Sequence, residues 1–207
     1  MTYAIFWGSS WTGSSVATII HNYFNDLGGT TFENIVTQYY DTTGDIHNTH
    51  TVGGVWVDTS ALTTDTMCGG STVQDSSLQS EVNRAISANA WPRDSSNAVY
   101  YVYTPSGYYI NDGTNSCNAP AGNWCAYHNW SSSDSVAYGA MPYPGSGCSV
   151  STSPNNNVAG DSEVNLTSRE QFEAITDPQP ASAWTDAAGY EIGDKCAWDF
   201  SAGLTTL

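Results

Sequence analysis

The chain has 207 residues, 40% of them hydrophobic and 13% aromatic, which excludes a disordered or low-complexity polypeptide and suits one domain with a sizeable core. Its 20 acidic residues stand against 4 basic ones, a formal charge of −16 that repels nucleic acid and anionic membrane surfaces and attracts cations. No apolar run reaches bilayer-spanning length, so neither a nucleic-acid partner nor a membrane span is expected. The opening MTYAIFWGSSW lacks a basic n-region and a long apolar h-region. It is not read as a signal peptide, so export requires a signal already removed or lying outside this chain.

Residues 3–7 form a short apolar run ending at Gly8, the pattern of a buried strand. Ser14 or Ser15 can cap the helix that follows. Its apolar residues Val16, Ile19, Ile20, Tyr23, Phe24 and Leu27 recur at helical spacing, and Gly28 stops it. Residues 35–40 and 52–57 are rich in β-branched and aromatic side chains and predict strands. A second helix starts near Asp75 or Ser76, buries Leu78, Val82, Ala85 and Ile86, and ends before Pro92. Residues 98–103, AVYYVY, alternate little and predict a strand covered on both faces.

From about residue 104 the texture changes to Gly, Asn, Ser and Cys. Short strands are predicted at 124–128 and 136–141, a third helix at 163–176 ending before Pro178, and an ordered loop from 179 to 207 carrying Trp184, Tyr190, Trp198 and Phe200. Strands alternating with helices imply an α/β fold, a mixed, mostly parallel sheet with crossover helices. Residues 1–207 are read as one domain, with the irregular half laid over one edge.

The five cysteines, none in a CxxC pair, read as extracellular staples. Cys117 and Cys125 flank a Pro/Gly loop and are expected to close it, with Cys148 and Cys196 as the second pair. Cys68 is then either buried and free or paired between molecules. Sequons at Asn129 and Asn165 make these asparagines candidate glycan acceptors. His21 reads as a boundary residue of the first helix, and His128 as an edge-strand residue. His47 and His50 have metal-pair spacing only if helical, which their loop setting opposes.

The informative stretch is residues 162–198. On its helix Glu170, Glu173 and Asp177 form an acidic stripe toward the C-terminal end, where the helix dipole disfavours negative charge. Asp186, Glu191 and Asp194 follow, interleaved with Gly189 and Gly193. Clustered carboxylates with glycine turns suit an oxygen cage for calcium, so Glu173, Asp177, Asp186, Glu191 and Asp194 are the candidate metal ligands. No GxSxG elbow or serine–histidine arrangement is present.

The segments IFWG, WCAYH, TSREQFEAITDP and GYEIGDKCAW resemble the EXORDIUM-like (phosphate-induced) family and its bacterial relatives, whose members are secreted. Those bacterial relatives usually carry a His-Glu-x-x-Glu-x-x-Thr-Asp-Pro helix similar to zinc-peptidase helices. The resemblance implies a zincin-like fold, with Glu170 at the position of the presumed base, Glu173 at the second ligand and Asp177 at a further one. The first ligand position holds Arg169, whose guanidinium has no lone pair to give zinc. Relocation of that ligand to His128 is conceivable.

Together these features predict a secreted, non-catalytic extracellular protein with a vestigial Glu170 site. Calcium is the expected ion, zinc is not expected, and self-assembly into a homo-oligomer or extracellular array is the expected partnership. Two alternatives stand: an active secreted metallopeptidase using Glu170, and a cell-wall carbohydrate-binding protein with Trp and Tyr as stacking platforms.

Overall fold

Every residue of the first strand is buried, because the apolar run Thr2–Trp7 enters the sheet between two parallel neighbours. The computed structural model describes residues 1–42, 44–94, 96–118 and 123–198. In chain order the elements are β1 (Thr2–Trp7), α1 (Ser15–Asp26), β2 (Tyr40–Asp41), β3 (Gly44–Asp45), β4 (Val52–Asp58), β5 (Ser71–Gln74) and α2 (Asp75–Asn89). They continue with β6 (Val99–Thr104), β7 (Tyr108–Asn111), β8 (Tyr127–Ser131), β9 (Val136–Pro142) and α3 (Val158–Thr176).

Five strands form one sheet in the order β4-β1-β6-β9-β8. All pairings are parallel except that of β8, which runs antiparallel to β9 along one edge. The fold is therefore α/β with a mostly parallel mixed sheet. Alternation along β6 divides the core. Val99, Tyr101 and Tyr103 face a layer built with α1 and α3, whereas Tyr100 and Val102 face the side covered by α2. The predicted two-sided burial of this strand is what the sheet shows, since all six of its residues are buried.

The helices obey their sequence signals. Ser14 caps α1 by accepting from the Ala17 amide, and Val16, Ile20, Tyr23 and Phe24 are buried. In α2, Leu78, Val82, Ala85 and Ile86 are buried as expected, and the helix ends at Asn89. α3 starts five residues earlier than predicted, because Asn157 Oδ1 accepts from the Gly160 amide at 3.0 Å and supplies the cap.

Three expectations need correction. Residues Glu33–Gln38 form a 3-10 turn rather than a strand; Thr30 Oγ1 accepts from the Glu33 amide and Val36 is buried, so local capping overrides β-propensity. The irregular half is not laid over one edge, because it supplies β9, an interior strand buried along its whole length.

The disulfide pairing also differs. Cys68 joins Cys117, with Cα atoms 6.1 Å apart, and Cys125 joins Cys148 at 5.6 Å. β5 and β7 pair in a separate small sheet, and the segments holding Cys68 and Cys117 fold back on those strands through the bridges Asp65–Thr72 and Asn111–Cys117. Cys125 instead precedes β8 in the large sheet, so Cys117 and Cys125 do not meet. Cys148 is taken by Cys125, and the Cys196 side chain lies outside the described residues, as do Phe200 and the tail from residue 199.

Both sequons lie inside regular elements, Asn129 in β8 and Asn165 in α3. Ser131 and Thr167, their hydroxyl residues, are each 0% exposed, and Thr167 bonds Tyr103 Oη at 3.0 Å. Both asparagines are partly buried, and neither lies on a surface loop. No helix among the described residues is long and apolar enough to cross a membrane.

Candidate functional site

The third helix carries its acids inward. Glu170 and Glu173 are buried on the face turned to β8 and β9, and the loop after the helix closes over them. Two glycines allow this approach. His128 of β8 lies opposite Gly139 of β9, and a Cβ on Gly139 would sit 2.3 Å from the Tyr101 ring. Gly193 in the closing loop leaves room for Arg169 and Glu173, each of which would lie 2.6 Å from an added Cβ.

Arg169 is the cationic hub. Its Nη1 donates to both oxygens of Glu173 at 3.1 and 2.9 Å and to Asp194 Oδ1 at 3.2 Å. Its Nη2 donates to the Ala126 carbonyl at 2.9 Å and pairs with Glu170. Burial alone would push the guanidinium pKa down, but the charges of Glu170, Glu173 and Asp194 outweigh it and raise it. Burial likewise favours a protonated Glu170, yet Arg169 and the His128 hydrogen bond hold its pKa below the usual carboxylate value. Glu173 goes the other way, up to about 9, through burial and the Glu170 charge.

His128 sits in the same cluster, 5% exposed. Its Nε2 lies 2.9 Å from the Asp177 carbonyl and its Nδ1 3.3 Å from Glu170 Oε2 and 3.8 Å from Glu173 Oε2. Glu191 Oε1 approaches Nε2 at 3.4 Å. Burial depresses the imidazolium, but Glu170 and Glu191 more than compensate and raise its pKa. Burial raises that of Glu191.

The predicted acidic ligands separate into different roles. The Asp177 carboxylate accepts from the amides of Ala181, Ser182 and Ala183 at 2.6, 3.0 and 2.6 Å, pinning the chain as it leaves α3. Asp186 accepts from the Ala188 and Tyr190 amides and pairs with Lys195 at 2.5 Å, which holds its pKa down at about 2. Asp194 goes to Arg169. Only Glu173 and Glu191 converge, and they do so on His128: one ligand atom from each of the three lies within 4.8 Å of the others. Among the described residues no other such group of three occurs, so Asp177, Asp186 and Asp194 share no cage.

The remaining histidines stay apart from this cluster. His50 stacks on Phe24 at 5.8 Å, accepts from Gln171 Nε2 at 3.1 Å, and is held neutral by burial, with its pKa pushed down to about 4. His47 is exposed. Sequence reading did not anticipate two buried features. Arg84 bridges the buried acids Asp58 and Glu81, and Glu163 is 0% exposed with neither carboxylate oxygen hydrogen-bonded among the described residues. An acid at that helical position, flanked by buried neighbours, was the available signal for Glu163. No family model matches the chain, and no curated protein or solved structure is detectably similar to it.

Proposed function

We propose that this chain is a secreted, non-catalytic extracellular protein of zincin-like architecture, in which a peptidase-like helix serves as an ion-pair lock. One observation carries the reading. The guanidinium of Arg169 spans Glu170, Glu173 and Asp194 and also binds a backbone carbonyl. A base that must activate water needs a free lone pair near a Lewis acid. Glu170 is instead engaged by a permanent cation and by His128.

The zinc set implied by the helix pattern does not fit these residues, because Arg169 occupies its first position and Asp177 is consumed by three backbone amides. The two disulfides suit an oxidising compartment. Among the described residues no strand covers the outer edge of β4, where Val55 is 38% exposed, and an open edge of this kind suits self-assembly.

The test is a peptidase assay on the unmodified chain beside Arg169→His, with zinc supplied to both. The unmodified chain is expected to be inert toward generic peptides. Chelator-sensitive cleavage that disappears in Glu170→Gln would overturn the non-catalytic reading.

A further inference from the structure

The cluster around His128 gathers the carboxyl groups of Glu170, Glu173, Glu191 and Asp194 about a single guanidinium. The histidine shows where a second cation belongs. A carbonyl oxygen only accepts, so the 2.9 Å contact with Asp177 assigns a proton to Nε2. An ion on Nδ1 would replace the proton that Glu170 Oε2 accepts there at 3.3 Å, and Glu173 Oε2 lies 3.8 Å from the same nitrogen.

Two ligands bonded at about 2.1 Å to a tetrahedral ion stand roughly 3.4 Å apart, close to these separations. A ring N–H held by a backbone carbonyl is the arrangement that orients an imidazole to bind a metal through its other nitrogen. Glu191 completes the group from the Nε2 side of the ring: its Oε1 lies 3.4 Å from Nε2, is buried without a hydrogen-bond partner among the described residues, and is within 4.8 Å of the other two ligand atoms.

We propose that His128, Glu173 and Glu191 bind one divalent transition-metal ion of zinc's class, which ties β8, α3 and the loop after α3 together. A donor set with imidazole nitrogen favours such an ion over calcium, which takes oxygen ligands in larger number. Arg169 remains beside Glu173 and orients its carboxylate, as outer-shell partners do. This site differs from the helix-borne ligand pattern, because its nitrogen comes from the edge strand and one acid from the loop. It holds whether or not the chain cleaves peptides.

The experiment uses the full oxidised chain, stripped with chelator and titrated calorimetrically with zinc and, separately, with calcium. One zinc per chain should bind, and calcium at the same concentrations should not. His128→Ala and Glu191→Gln should each weaken zinc binding by about 100-fold or more, since loss of outer-shell partners alone costs 10–100-fold. His47→Ala, an exposed histidine, should leave it unchanged. Glu191 lies in a loop, so its variant keeps the test valid if His128→Ala does not fold. Cobalt added to the stripped chain should give visible absorption that Glu191→Gln abolishes. Absence of zinc binding, binding indifferent to His128 and Glu191, or calcium binding in place of zinc overturns the site. Zinc bound together with peptide cleavage would instead overturn the non-catalytic reading and leave the site standing.

Discussion

Gly193 lies against Arg169 so closely that an added Cβ would meet the arginine Cγ at 2.6 Å and the backbone oxygen of the same residue at 3.1 Å. The absence of a side chain at Gly193 is what lets the acidic loop press onto α3. Gly193→Ala should therefore lift the loop at a cost of about 1–3 kcal/mol, the range for overpacking. Limited proteolysis checks this. Cleavage between residues 186 and 198 should appear in the variant while the rest of the chain stays protected.

Arg169 is the least exposed of the four basic residues, its side chain 24% exposed within the acid cluster, whereas Arg84, Arg93 and Lys195 pair with carboxylates from side chains 41–48% exposed. Removing it strands Glu170 and Glu173 in the interior. Arg169→Met should destabilise the fold by about 3–5 kcal/mol, as when one partner of a buried pair is lost. Arg169→Lys keeps the charge but not the fork that reaches Glu173 and the Ala126 carbonyl, so it should fall between. Denaturant unfolding of the three proteins at neutral pH gives the order. Equal midpoints would remove the ion-pair lock.

Glu163 is fully buried near Tyr103 and Tyr143, and burial raises its pKa well above the ordinary 4.5. Folded, it keeps a proton that the unfolded chain releases above about 4.5. Its contribution to stability is therefore complete below that pH and is lost as pH rises toward the folded value. Glu163→Gln mimics the neutral form at every pH. The parent should lose stability relative to this variant between pH 5 and pH 8, to be followed by melting temperature in matched buffers. Parallel curves would mean that Glu163 ionises in the fold.

Glu33 offers the same relation over a bounded window. It is 2% exposed, near Tyr23 and the amino terminus, and burial lifts its pKa to about 7. Glu33→Gln should stabilise the protein relative to the parent as pH climbs from 4.5 to about 7, with no further gain beyond that range. A gain that keeps growing above pH 8 would contradict the assigned value.

The two disulfides enclose separations of 49 and 23 residues. Loop-closure entropy assigns each about 3–4 kcal/mol, with the longer one worth slightly more. Cys68→Ala/Cys117→Ala should therefore lower the unfolding midpoint at least as far as Cys125→Ala/Cys148→Ala. Non-reducing peptide mapping should recover Cys68 with Cys117 and Cys125 with Cys148. A peptide joining Cys148 to Cys196 would contradict the structure.

The sequence by itself determined the features that depend on local repetition. The buried face of α1, the stripe Leu78–Val82–Ala85–Ile86 of α2 and the twice-covered strand β6 each follow from spacing along one element. The acidic stripe of Glu170, Glu173 and Asp177 was legible for the same reason, but not that Glu170 and Glu173 would be buried. Only the tertiary structure decided which distant groups meet. β8 entered the sheet antiparallel to β9, and this carried His128 onto Glu170 and Glu173 across 42 and 45 positions of chain. The separate pairing of β5 with β7 took Cys117 away from Cys125 and gave it to Cys68. The acids of the closing loop, adjacent in sequence, were divided among Lys195, His128 and Arg169, because a carboxylate near the core is held by the cation or amide its backbone can reach. Strand order and register fix such encounters, and no periodicity within a single segment encodes them.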